Sequence, residues 1–178
     1  NGVIKIPGTE IKDNSEVVAN TTDPSGNESE KGKAIAGDST PSAKPEVTAD
    51  PQNGGVSVKP DPTAEKDSKT KIDYTDESGD PKEVTYTKGD DGKWHKDPSK
   101  TNINIPERSH DNCVIKISAP EQNDNSEVVA NTTDPSGNDS EKVKALAGDS
   151  TPSAKPEVTA DPPNGEVSFK PDPPAAQN

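Results

Sequence analysis

The stretch KIDYTDESGDPKEVTYTKGDDGKW, Lys71–Trp94, decides the fold. Its apolar residues recur at every second position, the period of a strand with one buried face, and not every 3.6 residues. Ile72 and Tyr74 share one face of a first run, and Val84 and Tyr86 share one face of a second. Between them TDESGDPK supplies Gly79 and Pro81, the first tolerant of positive φ and the second fixed in φ, so the segment reads as a hairpin loop. Asp91–Gly92 is a tight-turn dipeptide, and Trp94 opens another short extended piece. Tyr74, Tyr86 and Trp94 are expected to supply much of the core.

Further alternating runs lie on both sides: Glu46–Asp50, Gly55–Pro60, Ile103–Ile105, Val114–Ile117 and Glu127–Thr133. They add Val56, Val58, Ile115 and Ile117 to the candidate core. Short strands separated by turns predict an all-β chain folded as a two-sheet antiparallel sandwich. No segment shows a helical stripe. SEKGKAIAG (Ser29–Gly37) and SEKVKALAG (Ser140–Gly148) come nearest, and their length and flanking glycines allow at most one turn of helix.

The chain also repeats itself. Val3–Pro62 aligns without a gap on Val114–Pro173, an offset of 111 residues, and 49 of the 60 positions are identical. Periods of about 20–50 residues belong to solenoids, but this period is the size of a whole domain, so the units read as beads on a string. GDSTPSAKP (Gly37–Pro45, again at Gly148–Pro156) has no large apolar residue and reads as a linker. Residues 1–37 are then the rear of one unit, 38–147 a complete unit, and 148–178 the front of a third. The two partial units are expected to be poorly ordered unless strands pair across copies or swap between chains. VVANTTDPSGN, from Val17 and again from Val128, reads as the closing strand of its bead. Both ends fall inside a repeated unit, so the chain reads as a piece of a longer tandem array.

The net charge is −13, from 33 acidic and 20 basic residues. Such a chain is a poor partner for nucleic acid or an anionic membrane, both of which call for a basic surface. Leu, Ile, Val and Phe number 1, 9, 13 and 1, about 13% of the chain. That value, with the high charge, is also the signature of a disordered acidic segment. No apolar run reaches the ~18 residues that a membrane span requires. A single cysteine, Cys113, excludes an intrachain disulfide.

The unit resembles the bacterial immunoglobulin-like repeats of cell-wall adhesins and biofilm-associated proteins. The matching stretches are PEVTADPQNGGVSVKP, VTYTKGDDGKW and ANTTDPSGNDSE, which together span about Pro45–Glu141. The segment after Trp94, up to Asn112, is longer and more polar than that pattern. The resemblance implies a non-enzymatic bead on a bacterial cell surface, anchored to the wall through another region. There it would serve as a stalk that projects a distal adhesive domain. A binding module that recognises a host or sister-cell protein is the alternative, and a hydrated disordered brush is another. The expected assembly state is a monomer whose neighbours are repeats of the same chain.

Three acidic loops offer oxygen ligands: Asp76 with Asp80, Asp90 with Asp91, and Asp134 with Asn138 and Asp139. Calcium takes six to eight such oxygens, and the resemblance implies that some related repeats use it to stiffen joints. The other reading is that Asp and Asn cap their own turns. No other cofactor is expected. His110 and Cys113 lie close in sequence, but neighbours in an extended chain point in different directions and make no nucleophile–base pair. Cys113 reads as a thiol able to cross-link two chains, and His95 as packing beside Trp94. Asn20, Asn27, Asn131 and Asn138 stand in Asn-x-Ser/Thr triplets that also fit turns and strand ends.

Overall fold

The Ile72–Tyr74 and Val84–Tyr86 runs form the antiparallel hairpin that organises the rest. In the computed structural model, which describes residues 2–51, 53–99, 105–106, 113–161 and 163–170, Ile72 pairs with Val84. The strands in chain order are β1 (Glu16–Ala19), β2 (Gly32–Ile35), β3 (Glu46–Ala49), β4 (Val56–Lys59), β5 (Lys69–Thr75) and β6 (Pro81–Lys88). They continue with β7 (Trp94–Lys96), β8 (Ile115–Ile117), β9 (Glu127–Thr133), β10 (Val143–Leu146), β11 (Glu157–Asp161) and β12 (Glu166–Lys170). Single 3-10 turns occur at Gly8–Glu10 and Ala119–Glu121.

Eight of these strands make a β-sandwich. A five-stranded sheet runs β10-β9-β5-β6-β7 and a three-stranded sheet runs β3-β4-β8, both antiparallel throughout. Period-two alternation aims one face of each sheet inward. Ile72, Tyr74, Val84, Tyr86, Trp94, Val128 and Ala130 from the larger sheet meet Val56, Val58, Ile115 and Ile117 from the smaller in one buried cluster. At ~1.5–3 kcal/mol for each large apolar side chain removed from water, this cluster supplies the main drive to fold.

Several polar groups inside are matched by neighbours. Thr70 and Thr132, neighbours on β5 and β9, share a buried hydroxyl hydrogen bond of 2.9 Å. The Tyr86 hydroxyl donates to the Pro106 carbonyl at 2.5 Å. Lys88 and Lys96 occupy inward positions and are buried. Lys88 Nζ donates to the carbonyls of Pro62 (2.7 Å) and Ala64 (2.6 Å), and Lys96 Nζ to that of Ile105 (3.1 Å). Their methylene stems line the core while the ammonium groups stitch loops to the sheet.

Two expectations are corrected. The segment after Ser140 is not a turn of helix: Val143–Leu146 is strand β10, paired with β9 in the register Val143↔Ala130 to Leu146↔Glu127. β9, which carries VVANTT, is therefore the last strand but one, and β10 closes the sandwich. β10 is an edge strand with a half-buried, half-exposed alternation, so its apolar signal is weak. The run Ile103–Ile105 falls largely outside the described residues. Ile105 itself is described: it is a bend, and buried.

The partial units form two isolated hairpins, β1·β2 and β11·β12, each in the same register as its counterpart in the bead. Most of their large apolar side chains are exposed, among them Val18, Ile35, Val158, Val167 and Phe169, while Val17 is half-buried.

Candidate functional site

The three acidic loops lie on three different turns, and each is closed by its own backbone. Asp76 Oδ1 accepts the amides of Ser78 (3.0 Å) and Asp80 (2.9 Å), and its Oδ2 faces Lys82 Nζ at 3.0 Å. The Lys82 ammonium and the Asp80 amide hold the Asp76 carboxyl below its ordinary range. Asp80 lies 3.8 Å from the same ammonium. Asp91 accepts from His95 Nε2 and from the Lys93 amide, both at 3.0 Å, and both lower its pKa, His95 the more. Asp90 pairs with Lys66 at 2.8 Å. Burial pushes the Asp134 carboxyl up, but the Asn138 amide and side chain outweigh it and leave it lowered. Asp139 accepts from the Thr133 hydroxyl at 2.6 Å. Among the described residues no group of three or more His, Cys, Asp or Glu comes together as a metal-binding set.

His95 is half-exposed and bound to Asp91. Cys113 is half-buried against the core, at a positive φ of 58°, with its thiol 3.8 Å from the Gly92 carbonyl. The preceding copy has glycine at this position, Gly2, the residue that such a backbone favours. His110 lies outside the described residues. Asn131 is buried in β9, and the Asn138 side-chain amide is committed to Asp134 and to the Asp38 carbonyl. A shallow pocket of about 510 Å³ opens on the outer face of the larger sheet between Asp73, Lys82, Glu83 and Glu127.

Several features that recur in both copies lie at the ends of the bead. The chain enters beside the β9–β10 turn: Pro45 is buried, and Lys44 pairs with Glu141 at 3.2 Å. It leaves beside the β3–β4 turn. A Cβ on Gly148 would meet the Asp50 carbonyl oxygen at 2.8 Å, and Gln122 Nε2 donates to the Gly54 carbonyl at 2.7 Å. β3 and β10 thus run side by side in the same direction, and the chain enters and leaves at opposite ends of the sandwich.

At the exit, Asp124 Oδ1 accepts the Ser150 amide (2.8 Å) and hydroxyl (3.0 Å), while Thr151 Oγ1 donates to its Oδ2. The Thr151 hydroxyl and then the Ser150 amide hold the Asp124 pKa down to about 2. The preceding unit repeats the arrangement: Asp13 Oδ1 accepts the Ser39 amide (2.9 Å) and hydroxyl (3.1 Å). The start of the supposed linker is therefore folded onto the unit before it. In the sequence alone GDST reads as part of a linker. The 26 residues from Asp13 to Ser39 and from Asp124 to Ser150 recur as every spacing in the gapless repeat does, so nothing in the sequence singled this pair out.

No protein-family model, curated protein or solved structure matches the chain.

Proposed function

We propose that the chain is a spacer segment of a bacterial cell-surface adhesin, in which tandem β-sandwich beads project a distal adhesive domain and support adhesion or biofilm formation. The observation that carries this reading is the passage of the chain through the bead from one end to the other, combined with a repeat one domain long. A domain strung in this way adds its own length to an array with every copy. The strand order supports an immunoglobulin-like bead: among the described residues β10-β9-β5-β6-β7 follows the order G-F-C-C′-C″ and β3-β4-β8 follows A-B-E. Recognition sites tend to expose apolar anchors. On the bead, Leu146 is the single exposed large hydrophobic among the described residues.

Small-angle scattering on arrays of one, two and four copies of residues 38–148 tests the reading. The maximum dimension should rise linearly, by on the order of 40 Å per copy for strands of this length with their loops. Arrays that compact into a globule, with no linear increase, would overturn it.

A further inference from the structure

We infer that the segment joining two repeats is an orientation-fixing interface, in which the leading end of each bead is a docking surface for the exit of the preceding copy. The inference rests on the spacer reading and concerns how its parts are held.

Two adjacent residues, Asp38 and Ser39, are gripped from opposite sides. From the preceding unit, Asp13 takes the Ser39 amide and hydroxyl at 2.9 and 3.1 Å. From the following bead, Asn138 Nδ2 donates to the Asp38 carbonyl at 3.2 Å. Asn138 is itself held by Asp134 on both its backbone amide (2.9 Å) and its side chain (2.8 Å), so the donor is set in place before the joint forms. Asp38 in turn accepts the Thr40 amide at 3.0 Å and closes the turn that presents its carbonyl. Beyond this pin, Pro41 and Pro45 fix φ at two of the remaining positions, Pro45 is buried, and Lys44 reaches Glu141.

The surfaces that meet are acidic. Asp13 and Asp38 share a cleft with Asp61, Glu65 and Asp134 of the bead. These carboxylates are answered by neutral donors: Ser39 on Asp13, the Thr63 amide and hydroxyl (both 2.8 Å) on Asp61, and Asn138 on Asp134. The bead thus satisfies Asp61 and Asp134 with its own donors, and the partner that fits its leading end is the GDST of a preceding copy, whose Ser39 answers Asp13 and whose Asp38 carbonyl takes the Asn138 amide. The same grip exists on Asp124 at the trailing end, where the chain holds no following bead. Each bead thus carries its half of the joint independently of its neighbour.

The test uses the full chain with Cys113→Ser and spin labels at Lys33, on β2, and Thr85, on the outer face of β6. A free linker of about five residues would spread the label separation by on the order of 12 Å. The native joint should give one distribution narrower than that. Asp13→Ala and Asn138→Ala should broaden it toward the free-linker value. Asp124→Ala, which removes the matching grip on the far side, should leave it unchanged. A native distribution as broad as that of the Asp13→Ala chain, or equal broadening by Asp124→Ala, would overturn the inference. The spacer reading would survive either result, because it fails on the length of the array.

Discussion

The complete bead and its partial copies share almost the same residues and bury them very differently. Ile115 and Ile117 are 0% and 1% exposed, whereas their counterparts Ile4 and Ile6 are 91% and 55% exposed. Val58 is 0% exposed and its counterpart Phe169 is 69% exposed. Hairpin register nevertheless survives in both settings, because it depends on residues close in sequence: Val17↔Ala34 repeats Val128↔Ala145, and Val158↔Phe169 repeats Val47↔Val58. Burial does not survive, because it depends on β5, β6 and β7, which the partial copies lack. Pairing is local here, and the core is not. An isolated hairpin is marginal in water, so most of the free energy of this chain should reside in the bead.

The largest expected break in that comparison is Trp94→Ala. Removing a fully buried indole should cost about 3–5 kcal/mol and abolish the cooperative β-rich melt seen by circular dichroism. Phe169→Ala, on an exposed hairpin, should change the same melt by less than about 0.5 kcal/mol. An unchanged midpoint for Trp94→Ala would move the core elsewhere.

A finer contrast comes from one glycine in two settings. A Cβ on Gly148 would stand 2.8 Å from a backbone carbonyl, while one on Gly37 would meet nothing within 4 Å. Gly148→Ala should therefore destabilise by about 1–3 kcal/mol and Gly37→Ala by almost nothing, as read from urea midpoints. Equal effects would mean that the exit end of the bead is not packed as described.

Smaller again is the pH dependence of the exit grip. The Asp124 pKa is lowered to about 2 in the fold, against about 3.9 when unfolded. The unfolded chain therefore takes up the proton first. The contribution is present above about pH 4 and is lost as pH falls towards 2. Asp124→Asn should flatten the fall of the melting temperature across that window relative to the native chain, and an unchanged slope would count against the grip. Least of all, millimolar calcium should shift the melt by under about 1 °C, because the loop carboxylates already hold amides, lysines and a histidine. A rise of several degrees, reversed by chelator, would show that a cation displaces them.

Legibility in the sequence followed the same division. The alternation of Lys71–Trp94 and the all-β class were visible because period two is a local property. β10 was hidden: Val-Lys-Ala-Leu pairs only along one edge, with lysine at its second position and glycine close behind. The acidic loops were legible as turns, since an Asp bonding amides two to four residues on needs no distant partner. The Asp124–Ser150 grip was not, because its groups stand 26 residues apart and meet only once β9 and β10 have paired.

The side-by-side course of β3 and β10 has a mechanical consequence. Tension along an array pulls the start of β3 one way and the end of β10 the other, each along its own axis. The ladders β3·β4 and β10·β9 lie across that axis, so they are loaded in shear, with every rung strained together instead of peeling open from one end.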